Sequence, residues 1–343
     1  MKILKVIKNK MRSLVNCFFR TLVLIILLKP VIHSALPLNV HFFPVLPIEM
    51  RQNHKKEVQS EIEKRWEKVL QQKSSFAPYE KKSDQEIIKE FHQLNHFRQH
   101  LWYRNPEQSA HICQEDYMAA QDLLEKGYYR FAGNIAFAYN RTDSSYNAST
   151  VLIEGYHFIA MQEPNEMILN LFFKFLINHQ VSLLVRVKSE HEFSKANSVK
   201  YWKERIAQTG KDTFLNIMTN EVEKKPEPTY IAYCYTDEWF DNKGIDVKEL
   251  YRLVQETRQI YASSDKERPI ACHCASGVGR TGAFIAAFIL AEMIDLSKGD
   301  VPSIEEIVYK LSIQRPNLMG TAEQYLLLYH FVDYYLNVMQ KNK

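Results

Sequence analysis

The sequence predicts an α/β fold: a mixed, twisted central sheet flanked by helices, with an added helical segment on its N-terminal side. Three observations lead there. From Tyr146 onward, short runs rich in β-branched and aromatic residues alternate with helical stretches, the pattern of a sheet covered by helices. Ahead of that point, residues 52–130 are rich in Glu, Lys and Gln, with apolar residues at helical intervals. Finally, the chain has only 10 glycines in 343 residues, yet Gly277, Gly279 and Gly282 fall within six residues of one another. A chain that avoids glycine and then concentrates it needs unusual backbone there, either positive φ or close approach to a ligand. With 46% hydrophobic residues the chain can build a core, which excludes collagen-like, low-complexity and disordered classes.

The first segment, residues 1–35, carries Lys2, Lys5, Lys8, Lys10, Arg12, Arg20 and Lys29 and no acidic residue. The apolar run Thr21–Leu28 follows, then Lys29-Pro30 and the small pair Ser34-Ala35. This reads as an export signal, with an uncleaved membrane anchor or a buried amphipathic helix as the alternatives. Extending the apolar run back to Leu14 to span a membrane places Arg20 inside it, at about 2.5–3.5 kcal/mol near the centre. The formal charge of +4 is therefore an uneven average, because the other 308 residues hold 37 basic and 40 acidic side chains. A slightly acidic body has no electrostatic footprint for nucleic acid, and that class is set aside. Of five cysteines, Cys17 lies in the leader, and Cys113, Cys234, Cys272 and Cys274 show no regular disulfide framework.

Residues 36–130 are expected to be a helical extension packed on the core. Val58, Ile62, Trp66 and Val69-Leu70 share one helix face, and Ile87-Ile88, Phe91, Leu94 and Phe97 share another. His92, His96 and His100 align at i, i+4, i+8 but lack an accompanying carboxylate, so a solvated face is expected and no metal site. Beyond this segment, strands are expected at 150–153, 156–161, 181–187, 214–218, 229–235 and 269–273. Helices are expected at 165–178, 246–261, 281–296, 303–313 and 322–339, two of them opened by the capping boxes Ser303/Glu306 and Thr321/Gln324.

The glycine cluster lies in the stretch from Pro269 to Gly282, between an apolar strand and a helix N-terminus. A loop of small residues closing onto a helix directs several backbone N–H groups to one point, and the helix dipole adds positive potential there. Such a cradle suits a tetrahedral oxyanion. The backbone of Ala275, Ser276, Gly277, Val278, Gly279 and Arg280 supplies the amides. Cys274 stands at one end, where the same field favours thiolate over thiol. Arg280 stands at the other, offering a planar fork to phosphate oxygens.

The string His273-Cys274-x-x-Gly277-x-Gly279-Arg280-Thr281-Gly282 resembles the signature of protein tyrosine phosphatases, with Ala275-Ser276 in inverted order. The resemblance extends over about residues 130–340, making residues 131–343 a catalytic domain of that fold in a divergent, bacterial-type member. It implies no cofactor or metal and a phosphocysteine intermediate on Cys274. By the same resemblance Asp241, thirty-three residues before Cys274 in Trp239-Phe240-Asp241, is the general acid and base, and Phe240 replaces the family's proline. Asp237 and Glu238 are rival acids. Tyr146-Asn-Ala-Ser149, Gln162-Glu-Pro164, Lys200-Tyr-Trp202 and the segment from Gln314 to Tyr325 also match family elements, the glycine of the second being lost. By spacing to Trp202, Glu192 is expected to hold Arg280, with Glu190 second. His273 is expected to support the cysteine, the Thr281 hydroxyl to donate a hydrogen bond to the departing thiolate, and Gln324 to help orient water.

Two departures stand out. Gly320 occupies the place of the family's first water-orienting glutamine, and the phosphotyrosine-recognition loop is replaced by 133–140, where Tyr139 is the candidate aromatic wall. The expected substrate is a phosphorylated protein, phosphotyrosine foremost. Inositol phosphates or phosphoinositides form one alternative and non-catalytic phosphoprotein binding another. With its leader, the chain is expected to be exported or membrane-anchored, a bacterial protein acting on host phosphoproteins and touching membrane only through residues 1–35.

Overall fold

The computed structural model describes residues 48–103, 124–127, 129, 134–143, 146–194, 198–203, 206–209, 212–218 and 228–341. The leader, Cys17, Cys113 and the side chain of His100 lie outside them. All described residues belong to one unit, residues 44–343. The central element is β8 (Ile270–His273), whose four residues are all buried. A strand covered on both faces needs continuous small or apolar side chains, and Ile-Ala-Cys provides them. β8 runs parallel to β3 (Tyr156–Met161) on one side and to β4 (Leu183–Val187) on the other, with Cys272 opposite Ala160 and Val185. The sheet extends antiparallel from β3 through β2 (Tyr146–Ile153) to β1 (Arg141–Asp143). On the other side β4 pairs parallel with β7 (Pro228–Thr236), followed antiparallel by β6 (Asp212–Met218) and β5 (Ile206–Thr209). The order is β1-β2-β3-β8-β4-β7-β6-β5, a mixed sheet of eight described strands. The loop after β8 thus emerges at the carboxyl end of the central parallel strands, where ligands of open α/β sheets bind.

Two strands escaped the sequence pattern. β1 (Arg-Thr-Asp) and β5 (Ile-Ala-Gln-Thr) are edge elements of three and four residues, too short to show apolar alternation. β2 begins at Tyr146, four residues ahead of the expected start at Thr150, because Asn147 and Ser149 are buried polar residues whose side chains serve Arg315. The helix expected from Asn165 begins at Leu169 instead, as α3 (Leu169–Asn178). Asn165 turns the chain first, its Oδ1 accepting the Ile168 N–H at 3.0 Å.

The helix following the glycine cluster, α5 (Gly279–Leu296), is apolar on every side, and its residues Ala283–Ala291 are all buried. Around it lie α4 (Val247–Ser263), α6 (Ile304–Ser312) and α7 (Ala322–Lys341). Two helices of the N-terminal segment, α1 (Ile48–Gln72) and α2 (Asp84–Tyr103), contribute Val58, Ile62, Val69, Ile87, Phe91 and Leu94 to this same core. A true capping box opens α2: Ser83 N–H donates to Glu86 Oε2 at 2.8 Å, and Glu86 N–H donates to Ser83 Oγ at 3.4 Å. The box at Ser303 is one-sided, with Glu306 N–H donating to Ser303 Oγ while the Glu306 carboxylate turns to Lys310. Buried Arg98 on α2 donates to the carbonyls of Leu318 and Met319, so the extension holds the loop against which Gly282 packs. Among the described residues, no helix is long and apolar enough to cross a membrane.

Candidate active site

The glycine cluster is explained by contact. Gly277 has φ +72°, and a Cβ there would lie 2.1 Å from the Met161 carbonyl oxygen. A Cβ on Gly282 would meet Met319 N at 2.4 Å, and one on Gly279 would meet the Gln324 amide at 2.9 Å. The glycines therefore let the loop after β8 approach the end of β3, and let α5 approach the loop before α7 and the first turn of α7, more closely than any side chain allows.

The loop's carbonyls are turned outward and fastened. Arg315 Nε donates to Gly277 O at 2.9 Å and its Nη2 to Ser276 O at 3.1 Å, while Glu163 N–H donates to Ala275 O at 3.1 Å. In a trans peptide the C=O and the next N–H point in opposite directions. Anchoring the carbonyls of 275–277 outward therefore turns the amides of 276–278 inward. One consequence is visible: Gly277 N–H donates to Cys274 Sγ at 3.3 Å. Val278 caps α5, so the first amides of that helix continue the ring.

Cys274 is buried, with 2% of its surface exposed. Burial opposes its ionisation, but the Arg280 charge, the Thr281 hydroxyl and the amides of Thr281 and Val278 outweigh it, and the thiol pKa falls below its ordinary value. The Thr281 hydroxyl is near enough to contribute, although its geometry falls short of a formed hydrogen bond. Two residues earlier, Cys272 has the opposite fate: burial and the neighbouring Cys274 push its thiol well up. Both are free thiols, so the same fold makes one reactive and the other inert.

His273 is fully buried, and desolvation lowers its pKa to about 3, so the ring is neutral near pH 7. Its Nδ1 lies 3.2 Å from Cys274 O and its Nε2 lies 2.5 Å from Tyr201 Oη. A carbonyl can only accept, which assigns the proton to Nδ1 and leaves Nε2 to accept from the Tyr201 hydroxyl. The ring thereby ties the start of the cradle to Tyr201.

Arg280 is fully buried and held on two sides. Its Nη1 donates to Glu192 Oε2 and to Trp239 O, both at 2.8 Å, and its Nη2 donates to Asp241 Oδ1 at 2.9 Å. Glu192 also accepts from the Asp241 N–H, so one carboxylate ties the arginine to the loop carrying Asp241. Trp239, fully buried, anchors that loop through Nε1–H to Lys243 O at 2.8 Å. Arg280 Nε is buried and has no partner. A buried donor on a charged group left unpaired costs about 1–3 kcal/mol, so this N–H is a directional demand for an acceptor.

The other candidates lie elsewhere. Glu190 pairs with Lys200 at 2.5 Å on the surface, away from Arg280. Asp237 is taken by Arg186, whose Nη2 donates to it at 2.7 Å, and Glu238 is exposed. Gln324 is buried against Gly279, and its Oε1 accepts the Gly320 N–H at 3.1 Å. At Thr321 one half of the capping box forms, Gln324 N–H donating to Thr321 Oγ1 at 3.3 Å, while the glutamine side chain accepts from the Gly320 N–H rather than from that of Thr321. Phe240 is exposed and stacks on His191, with the ring planes 6° apart. Tyr139 is no wall to the cradle: its hydroxyl donates to Ile313 O at 2.7 Å, and its ring carries the Arg65 guanidinium 3.9 Å from the centroid. His92 and His96 are exposed, and no group of three His, Cys, Asp or Glu side chains suited to a metal occurs among the described residues.

Three supports were not singled out from sequence. Arg315 clamps the cradle carbonyls and has no carboxylate among its hydrogen-bond partners, so burial pulls its pKa down to about 10. Lys188 and Glu163 form a buried ion pair at 2.6 Å. Arg186 lies 4.0 Å over the Trp202 ring and donates to Tyr233 Oη at 2.7 Å. For Arg315 the signal was its place in the segment from Gln314 to Tyr325 that matches the family, for Glu163 a glutamate in place of the resembled glycine, and for Arg186 a charged residue in the apolar strand 183–187.

Comparison with known proteins accords with this geometry. A family model described as protein-tyrosine phosphatase matches residues 135–334. The human tyrosine-protein phosphatase non-receptor type 7 is 30% identical over 194 residues, covering 52% of this chain and 52% of that protein. The rat receptor-type tyrosine-protein phosphatase R is 27% identical over 184 residues, covering 50% and 28%. Tyrosine-protein phosphatase 69D of Drosophila melanogaster is 26% identical over 194 residues, covering 50% and 13%. The chain thus spans about half, or less, of these relatives' length. A solved structure of PTPN18 in complex with HER2-pY1196 phosphopeptides superposes with a TM-score of 0.56 at 20% identity, covering 73% of this chain and 93% of that one, a likeness of fold.

Proposed function

The chain belongs to the protein-tyrosine phosphatase family, and we propose that it hydrolyses phosphomonoesters, protein phosphotyrosine foremost, through a phosphocysteine on Cys274. The observation that carries this reading is the convergence of a depressed thiol, an inward ring of amides and the unpartnered Nε of Arg280 on one point. A phosphoryl group satisfies all three.

In the first step the Cys274 thiolate attacks phosphorus and the bond to the leaving oxygen breaks. The equatorial oxygens receive the amides of residues 275–280 and Arg280 Nε–H. Asp241, already gathered to Arg280, transfers a proton to the leaving oxygen. In the second step Asp241 takes a proton from water as that water attacks phosphorus, and Cys274 departs as thiolate toward the Thr281 hydroxyl. Gln324, buried with its side-chain amide against Gly279 at the cradle, is assigned to orient that water in a chain with glycine at 320. Glu192 and Trp239 position Arg280, and His273 positions the cradle through the Cys274 carbonyl. All of this chemistry uses side chains and amides, without a metal or cofactor.

Export or anchoring through residues 1–35 remains part of the proposal, tested by fractionating tagged protein with and without them. The activity is tested with the purified chain on phosphotyrosine peptide, phosphoserine peptide and inositol hexakisphosphate, beside Cys274→Ser and Asp241→Ala. Turnover of the phosphotyrosine peptide that both substitutions abolish or cut steeply is the expected result. Turnover unaffected by Cys274→Ser refutes the mechanism, preference for the inositol compound refutes the substrate, and peptide binding without turnover favours a binding module.

A further inference from the structure

The end of the sheet opposite the cradle holds a second concave site. Met161 at the far end of β3 stands level with His273, so His157 near the start of β3 lies at the other end of the strands. There α1, β2, β3 and the residues preceding β4 and β8 enclose a cavity of about 430 Å³. This size falls within the range of small-molecule pockets, roughly 300–1,000 Å³. Met50, Ile159 and Pro269 give it apolar wall.

Its polar lining is unusual in charge and in satisfaction. Arg51, Lys55 and Arg268 bring three cations to the cavity against two carboxylates, Asp265 and Glu267. Both carboxylates are exposed and stand 3.7 Å from their cations, beyond hydrogen-bond length. Arg51 Nη1 donates to a neutral acceptor, Gln180 Oε1, at 2.5 Å. Three imidazoles, His54, His157 and His179, complete the lining. His54 is engaged with the Thr150 hydroxyl at 3.4 Å. In His157 both ring nitrogens are buried and neither has a hydrogen-bond partner. Burial and the nearby Lys55, His54 and His179 hold its pKa down to about 3, so the ring is neutral and one nitrogen carries an N–H with no acceptor.

Three cations against two carboxylates, the unanswered N–H of the His157 ring and apolar wall describe a particular kind of guest. A polyanion exceeds the available charge, and a cation meets an unfavourable field. A purely apolar guest leaves the imidazole unsatisfied. We propose that this cavity is a second binding site, separate from the cradle, for a small monocarboxylate with an apolar body. The carboxylate accepts from His157 and Arg51 while the body lies against Met50, Ile159 and Pro269. A guest held there touches α1 and β3 at once, joining the helical extension to the sheet that carries the cradle.

The experiment is calorimetric titration of the full chain with octanoate, with octylammonium and 1-octanol as headgroup controls. The expected result is saturable one-to-one binding of octanoate, at least about 10-fold tighter than either control. His157→Phe and Arg51→Met should each weaken it about 10-fold or more, while Cys274→Ser leaves it unchanged and inorganic phosphate does not compete. Circular dichroism of both variants accompanies the titration. Should His157→Phe misfold, Arg51→Met on the surface of α1 decides alone. Absence of saturable binding, equal affinity for octylammonium, indifference to the variants that fold, or competition by phosphate each overturns the proposal.

Discussion

Replacing Glu163 by Gln tests how the cradle is supported beneath its surface. Glu163 and Lys188 are 0% and 2% exposed, and Lys188 Nζ lies 2.7 and 2.6 Å from the two carboxylate oxygens. At such separations the attraction is about 6 kcal/mol even with an effective dielectric near 20. The amide keeps the shape but removes the charge, leaving the ammonium with Ser198 Oγ at 3.0 Å and the Phe193 ring 3.9 Å away. Breaking one side of a buried pair costs about 3–5 kcal/mol, because the remaining charge is still desolvated. Equilibrium urea unfolding followed by tryptophan fluorescence should show a loss of that size for Glu163→Gln. The double variant Glu163→Leu with Lys188→Met removes both charges and should recover most of it. Turnover per folded molecule should fall little in the single variant, since the bond to Ala275 O comes from the Glu163 backbone. A loss below about 1 kcal/mol, or a double variant no more stable than the single, would refute this account of the pair.

Other consequences are equally direct. Glu192→Gln weakens a charge-assisted bond that orients Arg280, and kcat/KM should fall about 10- to 100-fold in steady-state assays while the fold persists by circular dichroism. Because the Cys274 pKa is depressed, kcat/KM should hold as pH falls from the ordinary thiol range and decline only below the lowered value. In Arg280→Met the thiolate loses its strongest stabilising charge, so iodoacetamide alkylation of Cys274 should titrate at higher pH than in the parent chain. His273 has a folded pKa of about 3 against about 6.5 unfolded, so the unfolded chain binds the extra proton between these values. Its contribution is present above pH 6.5 and lost as pH falls toward 3, about 2 kcal/mol by pH 5, and His273→Asn should show a shallower drop in urea midpoint between pH 7 and 5. Gly277→Ala places a methyl 2.1 Å from the Met161 oxygen at positive φ and should lower the urea midpoint and abolish turnover together.

Much of the architecture was readable because hydrophobic periodicity is local. The alternation from Tyr146 onward and the apolar faces at Val58–Val69 and Ile87–Leu94 reflect which side chains meet the core. β1, β5 and the start of β2 carry no such signal, since three- and four-residue edges and a buried asparagine look like loop. The helix anticipated from Asn165 failed for a similar reason, its first residues being spent on a side-chain turn.

At the site, the sequence by itself determined what is contiguous. Cys274, Arg280 and the glycines between and after them lie within one strand-loop-helix turn, so their convergence follows from backbone geometry over a few residues. Tertiary structure decided everything that arrives from a distance. It separated Glu192, against Arg280, from Glu190, on Lys200. It gave Asp237 to Arg186 and Asp241 to Arg280, and it turned Tyr139 away to Arg65. It brought Arg315 and Glu163 to the outward carbonyls of the cradle. The physical reason is that a carboxylate or guanidinium in a sequence carries its charge but not its partner. Burial makes that partner decisive, and which charges are buried together is a property of the packed chain.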